Sequence, residues 1–110
     1  MVDVVVTDEF RGWYEPLTEG EQEAIVRVVT LLEQEGVALR HPHSSGINGA
    51  SFALRELRVQ YQGRPYRVFY AFDPKRQAVL LIGGDKTGQD RFYEEMVPQA
   101  ETIWKEYLAE

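Results

Sequence analysis

The chain has 110 residues, of which 44% are hydrophobic, enough for one domain with one core over residues 1–110. It has no cysteine, which excludes a disulfide framework and a thiolate metal site and suits a reducing, cytoplasmic setting. The net charge of −6 argues against nucleic acid when taken whole, but residues 1–39 hold two basic and nine acidic side chains, residues 40–91 nine basic and four acidic, and residues 92–110 one basic and five acidic.

The start, MVDVVVTDEF, lacks a basic leader, so no signal peptide is expected. No apolar run approaches the roughly 20 residues of a membrane span, so no membrane partner is expected. Residues 2–7 are rich in β-branched side chains and predict a first strand. Asp8 to Tyr14 predicts a short helix, with Phe10, Trp13 and Tyr14 at helical spacing. Pro16 closes it. Thr18 to Glu21 fits a capping box, and Ile25, Val28, Val29 and Leu32 form one apolar stripe on the helix that follows. Gly36 is a plausible stop. The two helices read as an antiparallel pair with an acidic outer face. Residues 37–52 carry the Gly, Ser, Asn and Pro content of a loop.

Three strands come next. In residues 53–60, Leu54, Glu56, Arg58 and Gln60 alternate with Arg55, Leu57 and Val59. In residues 65–72, Tyr66, Val68, Tyr70 and Phe72 alternate with Arg67, Phe69 and Ala71. Residues 78–82 are an apolar run of the kind buried on both faces. A closing helix is expected from about Asp90, and Pro98 either kinks it or opens a second helix. Hairpin-length links make the three strands antiparallel. The predicted fold class is α+β: a small single-domain sandwich, its curved, mainly antiparallel sheet packed against an N-terminal helix pair and a C-terminal helix.

The stretch LIGGDKTGQDRFY, residues 81–93, resembles a phosphate-binding turn. The P-loop pattern requires lysine directly after its second glycine, and Gln89 follows Gly88. The dinucleotide fingerprint fails as well, because Asp85 takes the place of a glycine. The plain reading is that Gly83 and Gly84 let the chain leave a sheet and that Lys86 is a solvated charge beside Asp85, which partly cancels it. Against this stands the company Lys86 keeps. Arg55, Arg58 and Arg67 come from adjacent strands, with Tyr61, Tyr66 and Tyr70 interleaved. Such a surface grips phosphates and stacks bases.

Residues 56–88, ELRVQYQGRPYRVFYAFDPKRQAVLLIGGDKTG, closely resemble the HigB-like toxins of type II toxin–antitoxin modules, in the RelE/ParE superfamily. The resemblance implies a RelE/ParE-like domain acting as a ribosome-associated mRNA endonuclease that needs no metal or cofactor. A cognate antitoxin, of helix-turn-helix type, would neutralise it and alone connect it to operator DNA. The alternatives on the same fold are a gyrase-directed toxin and an inactive antitoxin-binding module. The resemblance places catalytic roles on Arg67, Lys86 and Tyr93. RNA contacts are expected from Arg55, Arg58, Arg64, Lys75, Arg76 and Arg91.

In such a site the 2′-hydroxyl of RNA attacks its own phosphodiester. The protein must align the attack, move two protons and stabilise the added charge. Arg67 suits the charge, because its planar fork holds two phosphate oxygens. Lys86 is assigned to orienting the backbone or to proton transfer, and Tyr93 to donating a proton or stacking. No general base stands near this corner in sequence. His41 and His43 leave two readings open: a metal pair short of further ligands, or a loop that folds over the site and brings His43 to it.

Overall fold

A computed structural model describes residues 1–110. The elements are strand β1 (Val4–Val6), helices α1 (Asp8–Tyr14) and α2 (Glu19–Glu35), a 3-10 turn (Gly36–Ala38), strands β2 (Ser44–Gly46), β3 (Arg55–Tyr61), β4 (Arg64–Phe72) and β5 (Ala78–Asp85), and helix α3 (Phe92–Ala109). They form one five-stranded sheet in the order β1-β5-β4-β3-β2. All neighbours are antiparallel except β1 and β5, which are parallel, so the sheet is mixed.

The α+β architecture is the expected one, with three differences. Part of the predicted loop is ordered as the 3-10 turn and β2. The last long strand continues through both glycines to Asp85. The closing helix begins at Phe92 and runs unbroken past Pro98, so no second helix starts there. That proline costs the helix the bond a residue-98 amide would donate to the Glu94 carbonyl.

Local chemistry sets the ends of the elements. The Thr7 hydroxyl accepts from the Phe10 amide at 3.0 Å and donates to the Leu81 carbonyl at 2.6 Å, which pins the β1–α1 corner to β5. The capping box forms as predicted. The Glu21 amide donates to the Thr18 hydroxyl at 3.2 Å, and the Thr18 amide donates to the Glu21 carboxylate at 2.8 Å.

Strand alternation splits the core in two. Leu57, Val59, Tyr66, Val68 and Tyr70 meet Ile25, Val28 and Leu32 of α2 on one face. Phe69, Ala71, Val79 and Leu81 meet Phe92, Ala100, Ile103 and Trp104 of α3 on the other. A Val, Leu, Ile or Phe side chain among them contributes about 1.5–3 kcal/mol when fully buried, so β4 and β5, covered on both faces, anchor the domain.

Gly83 and Gly84 have a packing role. A Cβ at Gly83 would fall inside the Trp13 ring, and one at Gly84 would lie 2.9 Å from the Phe92 ring. The two glycines admit one aromatic ring to each face of β5, so the expectation that they end the strand is corrected. No helix is long and apolar enough to cross a membrane.

Candidate functional site

Antiparallel register sets Arg58 of β3 directly opposite Arg67 of β4, and Arg67 opposite Gly84 of β5. Like charges across a strand pair repel. Glu56, on the same face two residues before Arg58, answers both. Its Oε2 lies 3.3 Å from Arg58 Nη1, and its Oε1 lies 3.5 Å from Arg67 Nε. The carboxylate also accepts from the Tyr93 hydroxyl at 2.7 Å and the Ser45 hydroxyl at 2.8 Å. Burial, together with the bond to Glu56, pushes the Tyr93 phenol up, so at neutral pH it is a donor and not a base. Lys86 Nζ stands 5.3 Å from the centre of the Tyr93 ring, within cation–π range. Of the three residues given catalytic roles, Arg67 and Tyr93 therefore meet at one carboxylate on the α3 face, and Lys86 stands beside the Tyr93 ring.

Burial separates their functions. Arg67 is only 4% exposed, and its Nη1 donates to the Tyr66 carbonyl at 3.0 Å. Its Nε is buried 3.5 Å from Glu56 Oε1, in an ion pair without a hydrogen bond. Arg58 keeps 34% of its side chain exposed and is the more accessible cation.

The other expected RNA contacts do not join this group. Arg55 lies opposite Tyr70, on the α2 face, where its Nε donates to the Ser44 hydroxyl at 3.1 Å. Two-residue alternation puts it across the sheet from Arg58. Arg64 also faces α2, with Glu21 at 3.4 Å and Asp85 at 3.6 Å. Asp85 Oδ1 accepts from the Thr87 amide and hydroxyl, so this carboxylate serves its turn and Arg64, and no ion pair joins it to Lys86. Lys75 and Arg76 sit in the β4–β5 turn, at the end of the sheet opposite Lys86. Arg91 stands at the N-cap of α3 and pairs with Glu94 at 3.1 Å.

Two hollows flank the cluster. One, about 550 Å³, is lined by Glu56, Tyr93, Glu94 and Glu101 among others. Its acidic wall repels phosphate. The other, about 450 Å³, lies along β3 where β2 has ended, and its lining includes Arg27, His41, His43, Arg58, Gln60 and Arg67. No carboxylate lines it. No group of three or more His, Cys, Asp or Glu side chains gathers closely enough to hold a metal ion.

Sequence reasoning missed Glu56 and Arg27. Glu56 shares the alternating face of Arg58, a signal that was present. Arg27 lies on α2, remote in sequence from the strands, and only the fold brings it near them.

Residues 12–105 match the family described as phage-derived protein Gp49-like (DUF891). Two Mycobacterium tuberculosis proteins are similar over almost the whole chain. One, provisionally named toxin HigB3, is 34% identical over 108 residues, covering 96% of this chain and 93% of its own. The other, provisionally named toxin HigB2, is 33% identical over 106 residues, covering 94% of this chain and 53% of its own. The chain thus spans about half of that second relative. With the family pattern running from α1 nearly to the end of α3, this chain belongs to the Gp49-like (DUF891) family.

Proposed function

We propose that this protein is the toxin of a toxin–antitoxin pair and that it cleaves mRNA without a metal ion, in association with the ribosome, until a cognate antitoxin neutralises it. The toxin names of its relatives support the first part, and kinship with the RelE/ParE superfamily belongs to the same proposal. The observation that carries the second part is the cross-strand pair Arg58 and Arg67, with Lys86 and Tyr93 beside it. Two guanidinium forks a strand apart suit the charge that builds on a phosphodiester as it is attacked. Tyr93 holds its proton and serves as a donor.

The test is induced expression followed by mapping of transcript 5′ ends. New ends inside open reading frames, lost on Arg67→Lys, are the expected result. Intact transcripts together with DNA-damage signalling would move the target to gyrase.

One observation favours a second reading, that of a silent antitoxin-binding module. Glu56 already occupies both arginines, and Arg67 is nearly closed to solvent. That reading predicts no growth arrest on induction, with tight antitoxin binding retained.

A further inference from the structure

The two histidines of the H-P-H segment have no role in the cluster around Glu56. The fold nevertheless carries them to it. Strand β2 pairs Ser44 with Leu57, so the residues just before Ser44 run beside Arg58 to Gln60. The Arg58 amide donates to the His43 carbonyl at 2.8 Å, and the His43 amide to the Arg40 carbonyl at 3.2 Å. His43 is thus tethered by its own backbone to the strand that bears Arg58. Both histidines are exposed, and both line the 450 Å³ cavity that Arg58 and Arg67 also line.

We propose that this cavity seats the phosphodiester to be cut and that His41 and His43 form the proton-transfer pair. This rests on the RNA-cleavage reading given above and deepens it.

Charge supports the placement. Three of the ten lining residues are arginines, Arg27 from α2, Arg58 from β3 and Arg67 from β4, and no carboxylate lines the cavity, although Glu56 pairs with Arg58 and Arg67 from beside it. In a chain of net charge −6 this is a place where an anion meets cations first. The size falls within the roughly 300–1,000 Å³ range of ligand sites. Arg67 is 4% exposed and also lines the cavity, while its Nε stays buried 3.5 Å from Glu56 Oε1.

The chemistry needs what two imidazoles supply. A neutral imidazole takes the 2′-hydroxyl proton as the 2′ oxygen bonds to phosphorus. An imidazolium gives a proton to the 5′ oxygen as its bond to phosphorus breaks. The products are a 2′,3′-cyclic phosphate and a 5′-hydroxyl, and no water is consumed. Histidine is the side chain whose two protonation states coexist near neutral pH, whereas Tyr93 stays protonated there and supplies no base.

The experiment uses the purified chain with an RNA substrate, alone and on programmed ribosomes. His41→Gln and His43→Gln are both at exposed positions and are expected to leave the melting curve unchanged. Each is expected to lower the cleavage rate by about 10²-fold or more and to remove one limb of a bell-shaped pH–rate profile. Arg27→Ala is expected to weaken RNA binding and leave both limbs in place. Wild-type cleavage with both histidine variants within about threefold and the profile unaltered overturns the histidine assignment, while the RNA-cleavage reading stands. Absence of cleavage by the wild type, with no growth arrest, overturns that reading and this proposal with it.

Discussion

Glu56→Ala perturbs the site most sharply. The carboxylate is 4% exposed, with Arg58 Nη1 at 3.3 Å and Arg67 Nε at 3.5 Å. Its removal leaves Arg67, itself 4% exposed, as a buried charge without a counter-ion. Breaking a buried pair from one side costs about 3–5 kcal/mol. Arg58 turns to solvent and adds little. The loss is a large part of the roughly 5–15 kcal/mol that holds a domain together. At about 4 °C per kcal/mol for a domain of this size, Tm falls by about 12–20 °C. Urea titration at constant m reads the same quantity as a shift in midpoint. The double variant Glu56→Leu/Arg67→Met removes both charges and is expected to recover most of the loss, because an apolar replacement spares the desolvation of each. A Glu56→Ala loss below about 1 kcal/mol, the range of a solvated surface pair, would refute this account of the cluster. So would a double variant no more stable than the single one.

Further outcomes follow from the core. The Tyr66 hydroxyl donates to Glu21, holding that carboxyl below its usual range, and burial together with Glu21 pushes the phenol up to about 12. Because the folded Glu21 value lies below the unfolded one, its stabilisation is fully present above the unfolded value and is lost as pH falls through the folded one. Tyr66→Phe should therefore cost about 1.5–3 kcal/mol at neutral pH and much less in acid, read from urea midpoints; equal losses at both ends would contradict the coupling. Gly83→Ala drives a methyl into the Trp13 ring and should cost about 1–3 kcal/mol. Gly12→Ala, on α1 with open space around it, should gain about 0.5–1 kcal/mol. Thermal melts of the two should move in opposite directions, and a shared sign would show the packing argument wrong.

The fold was legible where one physical rule governs a segment. The capping box at Thr18 and Glu21 and the alternation of β3 and β4 follow from hydrogen-bond satisfaction and side-chain parity, and both appear as read. β2 was not legible. Ser44–Gly46 has no apolar alternation, and it is a strand because residues 55–57 lend it partners. The glycines of β5 resembled a turn because nothing local announces that Trp13 and Phe92 need the room. The site was half legible. Arg58, Arg67, Lys86 and Tyr93 share a face, as strand parity and register allow. Arg55 and Arg64 do not, because each lies an odd number of residues from the arginine of its own strand that does. Glu56 as a common counter-ion, and Arg27 and the histidines at the cavity, depend on contacts between distant segments.

The most direct test of the central claim is growth after induction of the wild type and of Arg67→Lys, a change that keeps the buried charge and removes the two-pronged grip on phosphate. The account predicts arrest with cut transcripts for the wild type, and cleavage slowed by about 10²–10³-fold in a variant that still melts cooperatively near the wild-type temperature. An Arg67→Lys protein that arrests growth and cuts RNA as fast as the wild type would contradict it.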